Sequence, residues 1–418
     1  MDLDDDFVST SGSRCSRPFP TTAAGAALPT LADNESPLLL CELNGEVVDG
    51  ECVCDIGWRG TTCGELDLDA PPIILYGSDP TSPTPKSSSW GGGPPAFDAA
   101  TGKHHLFVTE IVANCGMNTW TRGSLAAHAV STSGPLGPYT RVGEAIGTET
   151  LNVLYAYSAV DKMHLIYSIF GGVSPASCNP PFIGCTNGTT PNTTGGVRPR
   201  QWEPQNTCPS TPPDGKNSAH IHYSKSLDGP WKSTGRLIPS AAGCHGCGIS
   251  NPAPFIFPNG TVLMIGRGKD SVRTPGMPVV TGHNLWLYRA SSWNSTYVWV
   301  PGKGVNGSLD VGNYTRQDPT EDPVLYRGRR GFHMLLHSAA GLTHGYSEDG
   351  LTWHSNNVIM GPLQAGGGPN ERPRVILDPK TGDLAAIVVG QLIKQGSDAS
   401  RTAAFKVKQK VHTTGDRG

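Results

Sequence analysis

The sequence predicts an all-β chain in which four-stranded antiparallel sheets repeat and stack about an axis, behind a small cysteine-rich module. Three observations carry that reading. Gly (53) and Pro (36) make up about a fifth of the 418 residues and charged residues only 16%, against roughly 25% in average soluble domains, so turns and short strands dominate. From Glu321 onward, four short runs, PVLYR, FHMLLHS, THGYS and LTWHS, are cut by RRG, AAG and EDG. Turns at that interval are too frequent for helices, and a sheet with two faces to cover needs neighbours stacked against it. The third observation is a group of cysteines from Cys41 to Cys63, ahead of the first repeat.

Taken in order, residues 1–38 mix Ser, Pro, Thr, Ala and Asp without periodicity and read as a flexible tail. In residues 39–66, Cys41 precedes Asn44-Gly45, and Cys52-Val53-Cys54 is followed by Gly57-Trp58-Arg59-Gly60 and Cys63. This pattern resembles the second half of an EGF-like domain, and the resemblance implies bridges Cys41–Cys52 and Cys54–Cys63. The half-cystine expected near Val47 is missing. A zinc site is the rival reading of clustered cysteines, but no matching His pair accompanies them. Residues 70–412 hold the repeats. The first runs from Trp90 through HHLFVTE and SLAAHAVS to GPLGPYTRV, and the second from Asn152 through KMHLIYSI and AHIHYSKS to LDGPWKSTG. The third runs from Asn251 through TVLMIGRG and NLWLYRAS to YVWVPG, and the fourth begins at Glu321-Asp322. The fifth runs from Glu371-Arg372-Pro373 through DLAAIVVG to TAAFKVKQKV. Ile73-Ile74-Leu75-Tyr76 is expected to pair with that last run and close the ring, leaving no exposed edge.

Within the fourth repeat, Ser347-Glu348-Asp349-Gly350-Leu351-Thr352-Trp353 resembles the Asp box of sialidase-like propellers, in which Asp-Gly makes a hairpin and the Trp packs beneath it. A Gly-Pro-aromatic ending recurs at Gly137-Pro138-Tyr139 and Gly229-Pro230-Trp231, and the five repeats together read as a five-bladed β-propeller. At this level the chain resembles the propellers of glycoside hydrolase family 43, the arabinanase, invertase and levansucrase group. More closely it resembles a eukaryotic branch with an EGF-like segment ahead of SWGG, NP, EDP and ERP motifs. In that family an Asp base on the first blade, a tuning Asp on the third and an acid Glu on the fourth sit at the starts of the inner strands. Carried over, the fourth falls on Glu321, the third on Asn251, and the first blade offers Trp90-Gly91-Gly92 with no carboxylate.

A hydrolase built on this chain therefore needs another partner for Glu321, and Glu371 at the start of the fifth inner strand is the best placed. Two carboxyls about 5 to 9 Å apart across a sugar suffice for glycoside hydrolysis. The expected catalytic set is Glu321 as acid, Glu371 as base or nucleophile and Asp322 as tuner. Trp90, Asn152, Asn251, Arg372 and Asp318 are expected to bind substrate, with Glu110 and Trp120 as weaker pocket candidates. The same carboxylates would also serve to accept backbone N–H groups, or to pair with Arg372 and Arg374. The thirteen histidines, among them His104, His105, His220, His222, His333, His337 and His344, fall at strand spacing and read as mostly structural.

The expected substrate is a poly- or oligosaccharide, and the competing reading is a non-catalytic propeller that binds a glycan or a protein at the cell surface. Net charge is -3 with no basic run, which argues against nucleic acid. No apolar run is long enough to span a bilayer. No ligand motif demands a metal or cofactor, although a calcium in the central channel is left open. Eleven cysteines and sequons at Asn34, Asn187, Asn192, Asn259, Asn294, Asn306 and Asn313 point to an extracellular location, with the missing leader lying outside this sequence. The pairing of Cys15, Cys115, Cys178, Cys185, Cys208, Cys244 and Cys247 stays open.

Overall fold

A computed structural model describes residues 37–77, 88–111, 116–117, 120–147, 149–169, 219–237, 249–269, 283–302, 309, 321–338, 341–356, 370–393 and 399–408. Five antiparallel sheets form the blades of a propeller. The first is Ser88–Gly92, Lys103–Ile111, Ser124–Ser131 and Thr140–Ile146, with the short Ala96–Asp98 also paired to its second strand. The second is Leu151–Ser158, Met163–Ile169, Ala219–Ser224 and Lys232–Arg236, and the third Ile249–Ile256, Val262–Lys269, His283–Ala290 and Val298–Val300. The fourth is Glu321–Arg327, Phe332–Ser338, Gly341–Ser347 and His354–Asn356. Asn370–Leu377, Leu384–Leu392 and Ser400–Lys406 make the fifth, whose outer strand is Ile73–Gly77 from before the first blade. The ring thus closes as the sequence led one to expect, by Arg401 facing Gly77 and Ala403 facing Ile74.

Alternation along these strands gives each sheet two apolar faces, and each seam between blades carries its own cluster. Phe107 and Ile166 meet between the first and second blades, Tyr167 and Met264 between the second and third, and Ile265 and Met334 between the third and fourth. Leu335 and Ile387 meet between the fourth and fifth, and Val388 and Leu106 between the fifth and first. The fourth strand of the fourth blade starts later than LTWHS suggested. Asp349 Oδ1 accepts from the N–H groups of Leu351 (2.7 Å) and Thr352 (2.7 Å), which holds both in the turn, and buried Trp353 donates to Gly350 O at 3.0 Å.

The small module carries two disulfides, Cys41–Cys52 and Cys54–Cys63. Its hairpin pairs Gly45–Val48 with Glu51–Cys54. Trp58 is buried against the propeller in one cluster with Leu335, Val389 and Val407 and packs on the His344 ring, 4.8 Å between centroids. Arg330 of the fourth blade pairs with Asp55 and, at 2.7 Å, with Glu46. Cys15, Cys115, Cys178, Cys185, Cys208, Cys244 and Cys247 lie outside the described residues.

Candidate active site

All five inner strands share one irregularity. On the fourth, Glu321 faces His337 but Val324 faces Leu335, so three steps on one strand match two on its neighbour. The same slip occurs at Ser89/Gly92, Leu151/Leu154, Ser250/Ala253 and Glu371/Arg374. Each is a β-bulge, which bends the strand and re-aims a side chain. The bulge backbone is left-handed, with φ 55° at Asn152, 50° at Asn251, 53° at Asp322, 54° at Arg372 and 75° at Gly91. Gly, Asn and Asp tolerate that region; Arg372 does not, and such a residue costs about 1–3 kcal/mol. Pro252, Pro323 and Pro373 follow three of them, where the bulge needs no ladder N–H.

These bulges bring Asn152, Asn251 and Asp322 together. Asp322 Oδ1 accepts from Asn152 Nδ2 at 2.7 Å and from Asn251 Nδ2 at 2.5 Å, and Arg374 Nη2 donates to Asn152 Oδ1 at 2.7 Å. Asp322 is only 3% exposed and both asparagines are buried, so this cluster ties the second, third, fourth and fifth blades to one another. Asn152 and Asn251 were expected to bind substrate and instead have their amides committed to Asp322. Trp90, also expected at the substrate, is 2% exposed. Its Nε1 donates to Glu371 Oε2 at 3.0 Å, and its carbonyl accepts from Arg372 Nη1 at 3.1 Å. Arg372 is likewise buried, with Nε 3.9 Å from Asp322.

Above this cluster the carboxyls of Glu321 and Glu371 are 26% and 22% exposed and flank the imidazole of His337. His337 Nδ1 is 3.7 Å from Glu321 Oε1 and Nε2 is 3.9 Å from Glu371 Oε1, so one ring spans the space between the two carboxyls. Arg267 Nη1 meets Glu321 Oε2 at 2.5 Å. Burial alone would raise Glu321, but His337 and Arg267 outweigh it and hold the carboxyl down at about 2. At 3.7 Å the His337 contact acts through charge rather than as a hydrogen bond. Glu371 is shifted the other way: burial raises it, and the Asp322 and Glu321 charges add to the rise against the lowering by His337. Burial works against a charged His337, yet Glu321, Glu371 and Asp322 push it up to about 9. Burial and the Glu321 charge raise Asp322 as well. The order of protonation is therefore the reverse of the expected one, in which Glu321 was the acid, because Arg267 and His337 stabilise the Glu321 anion.

Neither Arg267 nor His337 was singled out by the sequence as a site residue. His337 could have been found by register, since counting out from the RRG turn puts it opposite Asp322, and the bulge then moves it to Glu321. Glu110 does not join the site; it accepts from Tyr76 Oη at 2.5 Å and Arg141 Nε at 2.8 Å, bracing the closing strand. Trp120 sits partly exposed in the short helix Trp120–Gly123, and Asp318 lies outside the described residues. Glu321, Asp322 and His337 present donor atoms within 4.8 Å of one another. Calcium takes six to eight oxygens, and this trio offers two carboxylates beside an imidazole that is itself cationic.

No family model and no curated protein matches the chain. Solved structures do match. A family 117 glycoside hydrolase of the marine bacterium Zobellia galactanivorans is 13% identical, with 82% of this chain and 91% of that chain aligned and a TM-score of 0.51. A candidate exo-β-1,3-galactanase of Bifidobacterium bifidum s17 is 9% identical, with 83% and 99% aligned and a TM-score of 0.50. The chain shares their fold. At such identities the likeness is one of backbone, and the chemistry rests on the residues above.

Proposed function

We propose that the chain is an extracellular glycoside hydrolase acting on a poly- or oligosaccharide, with Glu371 as general acid and Glu321 as the ionised partner. The observation that carries this reading is the pair of carboxyls on either side of His337 with oppositely shifted proton affinities. Such opposed shifts are how a site assigns acid and base roles to two like groups. Contacts to the two nitrogens of one imidazole keep the carboxyls within about 10 Å of each other, compatible with the roughly 5 to 9.5 Å used across a glycosidic bond. Trp90 donates to Glu371 Oε2, which leaves the transferable proton on Oε1. That proton passes to the glycosidic oxygen as the C–O bond breaks, while Glu321 takes a proton from an attacking water or itself attacks the sugar. As Glu371 becomes an anion, the His337 imidazolium 3.9 Å away stabilises it. This hydrolysis needs no cofactor.

Two disulfides, and sequons at Asn259 and Asn294 on exposed turns, support the extracellular part of the reading. The module's EGF-like character is part of the same proposal. The rival reading, a non-catalytic carbohydrate- or protein-binding propeller, is favoured by one observation: Trp90 and Asn251 stand where family 43 has two of its three carboxylates. Screening α- and β-linked cell-wall oligosaccharides, followed by variants, separates the two. Glu371→Gln and Glu321→Gln are each expected to lower kcat by roughly 10²- to 10⁴-fold with KM little changed. Turnover that survives both substitutions overturns the assignment, and binding without turnover by the unmodified protein favours the rival. The activity of the wild type should fall as pH rises through the raised pKa of Glu371, because the acid must carry its proton.

A further inference from the structure

We propose that His105, His128 and Asp228 form a binding site for a zinc-type divalent cation that clips the first blade to the second. His105 lies on the second strand of the first blade, His128 on its third strand, and Asp228 on the turn between the third and fourth strands of the second blade. His105 Nδ1 faces His128 Nε2 at 2.8 Å, and Asp228 Oδ1 stands 4.0 Å from the same His105 nitrogen. All three donor atoms fall within 4.8 Å of one another. Two imidazole nitrogens and one carboxylate oxygen, with one side open to solvent, are a donor set suited to zinc, which takes N and O ligands at about 2.0–2.2 Å in a tetrahedron. Copper and nickel would also bind, in the order set by their general affinity for such ligands.

The surroundings prepare these atoms for a cation. Both imidazoles are buried while the Asp228 side chain is 77% exposed, so the ion would enter from the carboxylate side. The His128 ring is stacked on Phe107 with 4.9 Å between centroids, and on His105 with 5.0 Å. The turn that carries Asp228 is fixed by its own hydrogen bonds, Asp228 N to Ser226 Oγ at 3.1 Å and Gly229 N to Ser226 O at 3.1 Å. Among the described residues nothing donates to the Asp228 carboxylate, whose only partner is His105 at 4.0 Å. A shared hydrogen bond satisfies two of the three donors and leaves the carboxylate unmatched. An ion engages all three, and needs the two ring nitrogens to separate by only about half an ångström from their present distance to reach tetrahedral spacing.

The test uses the untagged full chain, stripped with chelator and titrated with Zn²⁺ by calorimetry and by thermal melting. One ion per chain should bind with a Kd in the micromolar range or tighter and raise the melting temperature. Asp228→Asn, on an exposed turn and expected to fold, should weaken binding about tenfold or more, and His128→Gln should abolish it. If the His128 variant fails to fold, the Asp228 variant decides. His337→Gln, which disrupts the Glu321–Asp322–His337 donor cluster of the fourth blade, should leave the affinity unchanged. Binding that stays unsaturated near 1 mM, that is indifferent to Asp228→Asn, or that disappears in His337→Gln overturns the site.

Discussion

His337 concentrates the electrostatic argument at the scale of single residues. A histidine buried among apolar groups would be neutral, but two carboxyls bracket this one and a third lies close by, and the ring is held charged. Its folded pKa of about 9 lies above the ordinary value of 6.5, so the stability it contributes is fully present below about pH 6.5 and is lost as pH rises towards 9. The amount involved is on the order of 3 kcal/mol. Urea midpoints should therefore fall between pH 6 and pH 9.5, and His337→Gln should flatten that slope; an unchanged slope in the variant would mean that His337 is neutral in the folded protein. Glu321 has the opposite sign. Its lowered carboxyl contributes stability above the ordinary carboxylate range, lost only as pH falls towards about 2.

Among the elements, the bulged inner strand and the hairpin of the fourth blade do different work. The bulge repeats in every blade and aims side chains at the axis, so its sequence varies with what must be held there: Asn, Asn, Asp, Arg and a Trp-Gly pair. The hairpin at Ser347–Trp353 lies at the other end of its strand, where Asp349 holds the turn and Trp353 packs into the seam with the third blade. Asp349 Oδ1 accepts from Leu351 N, Thr352 N and Ser347 Oγ, the last at 3.0 Å. Asp349→Ala should lower stability by on the order of 1 kcal/mol and leave kcat and KM as they are. Loss of activity in a variant that folds normally would show that this hairpin reaches the site.

Across the whole molecule, the module and the propeller share a core. Trp58 packs with Leu335, Val389 and Phe405, and buried His344 faces both Trp58 and Glu42, the latter at 3.4 Å. Lys408, just beyond the last strand of the ring, pairs with Asp67 of the linker at 2.9 Å. A module joined in this way should unfold together with the blades. Trp58→Ala is expected to lower stability by about 3 kcal/mol or more, and a scanning calorimetry trace should keep a single transition with the module included. A separate early transition in the wild type would show that the module is an independent unit.

The sequence by itself determined the all-β class, the five repeats and the closing strand, because each rests on local rules, while the two disulfides followed from the EGF-like resemblance. Turn residues cut the strands, alternation sets their faces, cysteine spacing suggests a family pattern, and an edge strand needs a partner. It also placed Glu321, Asp322 and Glu371 at inner-strand starts. The roles of those residues depended on groups that are distant in sequence. Arg267 is brought to Glu321 from another blade and His337 by the register of the next strand, and together they reverse the protonation order that position alone suggested. Trp90, Asn152 and Asn251 looked available to a sugar until the ring closed over them, because a bulge residue points to the axis whether or not the axis has room for a ligand. Only tertiary structure decides which side chains remain exposed there, since proton affinity and access are set by the full set of neighbours within a few ångströms and these come from all five blades.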